Sequence, residues 1–164
     1  MARVPYLLNA LDQAYQRQSW HGTNLRGSLR GLTPAQASRR PGPGRHNIWE
    51  LVVHCAYWKY AVWRRLTGAS PGSFPLEGSN FFPRPGGPAT AAAWRADLRL
   101  LETMHRQLRA VVAGLTPRDL ARRSRGSRFS NADLVSGITA HDLYHAGQIQ
   151  LIKAMKGLNS SRKR

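Results

Sequence analysis

The sequence predicts an all-α protein, a four-helix bundle. Four long segments place apolar residues at alternating steps of three and four, which gathers them on one face of a helix. No segment alternates apolar and polar residues as a half-buried strand does, and nothing repeats at a fixed period. The long Pro/Gly-rich stretches separate these segments. Amphipathic helices of this length, each able to span roughly 30 Å, bury their stripes most simply against one another.

The first helix is expected from about Pro5 to Gly31. Leu8, Leu11, Tyr15, Gln18, Gly22, Leu25 and Leu29 share one face, with Pro5 suited to a first turn and Gly31 to a stop. Gln18 and Gly22 thin the middle of that stripe and leave room for something other than apolar packing. A connector follows over 32–46. Thr33-Pro34 can start one short helical turn, and Pro41-Gly42-Pro43-Gly44 must be irregular.

The second helix starts at Asn47, with Glu50 three residues on forming a capping box, and runs to Thr67 with Gly68 as its stop. Ile48, Leu51, Cys55, Trp58 and Val62 make its stripe, widened by Val52 and Leu66, and His54 lies at its edge. Residues 69–89 form a connector long enough to suggest a lid or rim, anchored by Phe74, Phe81 and Phe82. The third helix is expected from Thr90 to Gly114 on Trp94, Leu98, Leu101, His105, Leu108 and Val112; Leu115-Thr-Pro ends it and an Arg-rich connector leads on. The fourth runs from Asn131 to Lys156, capped by Ser130 or Asn131 and closed by Gly157. Its stripe is Leu134, Ile138, His141, His145, Gln148, Ile152 and Met155. Residues 1–157 thus read as one bundle domain and 158–164 as a basic tail.

A chain of 164 residues can bury a core without disulfides, and the single cysteine, Cys55, has no internal partner. The N-terminal residues lack the apolar run of a signal peptide, and no stretch approaches the ~20 apolar residues of a membrane span. The expectation is a cytoplasmic protein with no membrane partner. Lys and Arg number 25 against 8 Asp and Glu, for a formal charge of +17. Such a charge attracts polyanions. The basic clusters Arg39-Arg40, Arg64-Arg65, Arg122-Arg123-Arg125-Arg128 and Arg162-Lys163-Arg164 are nevertheless scattered, without interleaved aromatics for base stacking. Three readings stay open: arginine-rich composition on solvated surfaces, a nucleic-acid surface, or an acidic small molecule or protein partner.

The chemistry concentrates in histidines. His141 and His145, four apart, stand one above the other on the buried face of the fourth helix. Two imidazoles in a core stripe need partners, because an unpaired buried polar group costs about 1–3 kcal/mol. A shared divalent metal ion satisfies both. A third ligand must come from another helix, and His54 is best placed. Glu50, one turn earlier, could orient His54, although its capping duty competes for it, and Asp142 could act on His145 or simply face solvent. Each histidine also has a structural reading as a satisfied core or core-edge residue. His105 tests the argument, since it too falls in a core stripe; His21 faces the thinned part of the first helix, and His46 lies in a connector. Cys55 neighbours His54 in sequence but points about 100° away on a helix, and reads as a small core residue.

The run Arg45-His-Asn-Ile-Trp-Glu-Leu-Val-Val-His54 with Tyr57-Trp58, the stretch His141-Asp-Leu-Tyr-His145-Ala-Gly-Gln148-Ile, and Trp20-His21-Gly22 with Leu25 resemble segments of the DinB/YfiT-like metalloenzyme superfamily. The resemblance implies a bundle, often dimeric, in which His54, His141 and His145 bind nickel or zinc. Better-understood members use the metal with low-molecular-weight thiols as S-transferases or thiol-dependent isomerases. The implied function is a metal-dependent enzyme acting on a small-molecule substrate, with a thiol or water as nucleophile. The alternative is a basic nucleic-acid-binding or stress-response protein in which the metal is structural or vestigial. The Gly/Pro-rich 69–89 connector and the high charge have no counterpart in the resemblance.

Overall fold

A computed structural model describes residues 3–124 and 127–155. Among them are seven helices and no strand: α1 (Arg3–Tyr15), α2 (Leu25–Ser28), α3 (Pro34–Ser38), α4 (Ile48–Thr67), α5 (Ala91–Ala113), α6 (Pro117–Ala121) and α7 (Asn131–Met155). The four long ones pack as a ring in the order α1–α5–α4–α7, each against two neighbours, which is the expected four-helix bundle. None of the helices is long and apolar enough to cross a membrane. Gly157, the expected stop of the last helix, and the tail 158–164 lie outside the described residues.

The bundle is held by two apolar clusters. The larger joins Tyr15, Trp49, Leu51, Val52, Trp94, Leu101 and Ile149, and the smaller joins Leu11, Val62, Leu108, Val112, Val135 and Ile138. Helix α4 is buried almost all round its first two turns and a half, from Ile48 to Ala56, because it is covered by α5, α7, α3 and the connector after it. Its ends follow the sequence. The Asn47 side chain accepts from the Glu50 N–H at 2.8 Å while Glu50 accepts from the Asn47 N–H, and Gly68 closes the helix at φ 73°, the left-handed conformation that favours glycine. Asn47 also donates to the carbonyls of Ser38 and Arg84, so one cap ties two connectors to the helix start.

The first helix departs from expectation. It stops at Tyr15, where the N–H groups of Gln16 and Arg17 both close onto the Asp12 carbonyl, at 2.9 and 2.8 Å. Gly22 then takes φ 96°, and Asn24 starts the separate turn α2 by accepting from the Gly27 N–H. The stripe through Gln18 and Gly22 is therefore not a helical face. Its regular spacing was real, but Trp20, the large apolar side chain of this stretch, is fully exposed, so nothing there is buried to hold the chain helical. The Arg-rich connector contains a short helix that was not expected, α6, started by a Thr116–Asp119 capping box with Pro117 in the first turn.

Helices α4 and α7 are also joined through a buried ion pair. Lys59 and Asp142 are both fully buried, and Lys59 Nζ donates to Asp142 Oδ2. The same ammonium lies 5.0 Å from the centre of the Tyr15 ring.

Candidate metal centre

His54 from α4 and His141 and His145 from α7 converge. His141 Nε2 is 3.1 Å from His54 Nε2 and 3.1 Å from His145 Nε2. His54 and His145 are buried and His141 partly so.

The outer nitrogens of two of the rings are committed. His54 Nδ1 meets the Asn80 carbonyl at 2.8 Å, and His145 Nδ1 meets the Gln148 side-chain oxygen at 2.7 Å. Both oxygens only accept, so each Nδ1 carries the proton and each Nε2 presents a bare lone pair inward. His141 Nε2 can donate one proton, which cannot satisfy two lone pairs at 3.1 Å in good geometry, and its own Nδ1 has no partner among the described residues. A cation at the meeting point resolves all of this. His54, His141 and His145 lie close enough together to hold one divalent ion through these nitrogens, which would give each inward lone pair a partner. The donor set fits zinc or nickel.

The electrostatics keep the rings in the form a metal needs. Burial pushes the His54 imidazolium down to about 4, helped by the charges of His145 and His46 and opposed by its bond to Asn80. Burial, then His145, His54 and Lys59, bring His141 to about 3. Burial also lowers His145. All three are neutral at pH 7.

The 69–89 connector builds one wall. Phe81 stacks on the His54 ring at 4.0 Å between centroids and on the His46 ring at 3.6 Å, so one phenyl is sandwiched between two imidazoles. Phe82 is buried, and Phe74 packs against it and against Tyr57. The three phenylalanines anchor the connector as expected. Asn80 does more than sequence reasoning assigned it. At φ 65° it offers its carbonyl to His54 and its side-chain oxygen to Trp58 Nε1 at 3.0 Å, fixing the rings on both sides. Its one sequence signal is an Asn, the residue that best tolerates φ > 0 after glycine, two places after Gly78.

The family model of the DinB superfamily matches residues 17–149, most of the chain and all three histidines. The chain belongs to the DinB superfamily. No curated protein and no solved structure matches it.

Within this DinB-superfamily protein the other candidates separate cleanly. His21 is exposed in the 16–24 turn, where its ring nitrogen meets Ser19 Oγ at 3.3 Å, and does not join the cluster. His105 is fully buried but stacks on Tyr15 at 3.7 Å, with neither nitrogen bonded among the described residues, so a histidine does enter this core outside the three-histidine cluster. Glu50 does not orient His54. It caps α4 and takes Arg40 and His46, while the Asn80 carbonyl holds the His54 ring. Asp142 is not solvent-facing but paired with Lys59, and burial raises its carboxyl above the ordinary range. Cys55 is a buried core residue whose thiol burial pushes up; it approaches His141 and Asp142 closely enough to form a second cluster of metal-capable atoms. A thiol held protonated in that way is a poor ligand.

One face of His141 opens on a cavity of about 220 Å³ lined by Trp58, Val62, Leu134, Gly137, Ile138 and Phe129, with Arg65 and Asp133 at hand. It is mostly apolar and sits between α4 and α7 beside the triad.

Proposed function

We propose that this protein is a divalent-metal-dependent enzyme of the cytoplasm, with His54, His141 and His145 as the ligands of zinc or nickel. It acts on a small, largely apolar electrophile, with a low-molecular-weight thiol or water as the nucleophile, as an S-transferase or hydrolase. The observation that carries the reading is the inward convergence of three neutral Nε2 atoms beside the apolar cavity at His141.

A divalent ion held there supplies Lewis acidity, which makes a bound thiol or water acidic enough to react near pH 7. The rest is the work of this chain. Asn80 and Gln148 hold the His54 and His145 rings in the tautomer that presents Nε2 inward, and Phe81 covers the His54 face against solvent. Trp58, Val62, Leu134 and Ile138 offer the electrophile an apolar wall next to His141, and Arg65 can receive an anionic group that the substrate or thiol carries. Three protein ligands leave positions open, the arrangement of catalytic rather than structural zinc.

Cobalt(II) loaded in place of the native ion tests the open position. Adding a small thiol or azide should change the visible d–d spectrum saturably, and Ile138→Trp, which fills the cavity, should weaken that response. A cobalt spectrum unmoved by either ligand marks a closed, structural site and overturns the enzyme reading.

A further inference from the structure

A cavity of about 620 Å³ lies away from the triad and shares no lining residue with the cavity at His141. Its walls come from α2 and α5, and its floor from the end of α1. Arg26 and Arg30 stand on one wall; Arg95 and Arg99, one helical turn apart, stand on the other. Its size is that of a small-molecule site.

Four arginines face a single carboxylate in it. The chain has only eight acidic residues. Five are paired with cations elsewhere: Asp12 with Arg109, Glu50 with Arg40, Asp97 with Arg84, Asp119 with Arg122 and Asp142 with Lys59. Asp133 caps α7 through Ser130, and Glu77 lies in the 69–89 connector on a different cavity. Glu102 alone lines the cavity, and Tyr15 already donates to it at 2.9 Å. None of the four arginines has an ion-pair partner among the described residues, and Arg26 is steered by the Gln16 side-chain oxygen at 2.9 Å. Four like charges around one hollow repel one another, and an anion in the hollow relieves them. Burial, then Glu102, pushes the Tyr15 phenol above its ordinary range, so the floor keeps a neutral hydroxyl. Leu29, Leu98 and Leu101 give the hollow an apolar side, and the free oxygen of Glu102 can accept from a ligand hydroxyl.

We propose that this cavity is a second binding site, for a small organic molecule carrying two phosphate groups on a hydroxylated body. Two guanidinium pairs on opposite walls match two anionic ends, and Arg suits phosphate because its planar fork meets two oxygens at once. The arginines surround one hollow rather than line a track, which favours a compact ligand over a nucleic-acid backbone.

Fructose 1,6-bisphosphate serves as the probe, titrated calorimetrically against the full chain, with inorganic phosphate for comparison. The bisphosphate should bind once per chain and at least about tenfold tighter than phosphate, and Arg95→Gln/Arg99→Gln should weaken it by about 30-fold or more. The control Arg118→Gln/Arg123→Gln removes the same charge outside the cavity and should change affinity less than about threefold. His141→Ala should leave binding intact, which separates this site from the metal centre. Matching circular dichroism and melting curves certify that both arginine pairs fold. Four results overturn the proposal: no saturable binding, no preference over phosphate, equal loss in the two arginine pairs, or loss with His141→Ala. So does a 20-base-pair DNA duplex that displaces the bisphosphate and binds tighter through Arg95 and Arg99, which reassigns the surface to nucleic acid.

Discussion

Replacing Asp142 with leucine should destabilise the fold by about 3–5 kcal/mol, because it leaves the fully buried Lys59 ammonium without its partner. Both side chains are out of contact with water, and no other carboxylate pairs with Lys59 among the described residues. The remaining contact, the Tyr15 ring 5.0 Å away, replaces only a fraction of the lost attraction, on the order of 1–2 kcal/mol. A domain of this size has about 5–15 kcal/mol in total, so the variant should melt roughly 6–20 °C lower. The double variant Lys59→Met/Asp142→Leu removes both charges and keeps the volume, and should recover to within about 1–2 kcal/mol of the parent. Urea denaturation followed by circular dichroism measures all three. An Asp142→Leu loss below about 1 kcal/mol, or a double variant worse than the single, contradicts the picture of a desolvated pair bracing α4 on α7.

His105 makes stability depend on pH. Burial, then Lys59 and Arg109, hold its ring neutral down to about 2, whereas the unfolded residue takes up a proton near 6.5. Between those values the unfolded state binds one more proton, so stability falls as pH drops below 6.5, by up to about 1.4 kcal/mol per unit. His54, His141 and His145 are lowered too and add to the same slope, so His105→Phe, which keeps the stack on Tyr15, should make the profile between pH 6.5 and 5 shallower by about one proton's share; an unchanged slope there counts against the assignment. Asn47→Ala should cost about 2–3 kcal/mol by urea denaturation, more than an ordinary cap, since it also frees the Ser38 and Arg84 carbonyls. A loss of about 0.5 kcal/mol would mean that water replaces those bonds readily.

Legibility in the sequence followed the range of the interactions. Helix α4 could be delimited to the residue because its start and stop are local chemistry: Asn47 with Glu50, and Gly68 in a left-handed turn. The convergence of His54 with His141 and His145 was legible because the pair shares a helical face and His54 edges another buried stripe. The break after Tyr15 was not, because spacing alone continued through Gln18 and Gly22 while the structure depends on whether anything there is buried, and Trp20 is not. The short α6 could have been found. Thr116-Pro117-Arg118-Asp119 starts it by the same chemistry as Thr33-Pro34-Ala35-Gln36 starts α3. Asp142 was out of reach, since its partner Lys59 lies 83 residues away on another helix and neither sequence neighbourhood hints at the other. Asn80 was hidden for a similar reason. Its backbone carbonyl, not its side chain, is what holds His54, and a carbonyl leaves no mark in a sequence.

The metal centre is tested most directly by elemental analysis of untagged protein beside a His141→Ala/His145→Ala variant, with circular dichroism to show that both remain helical. One zinc or nickel per parent chain and none in the folded variant is the predicted result. A metal-free parent after incubation with either ion, or equal metal in the two proteins, would contradict it.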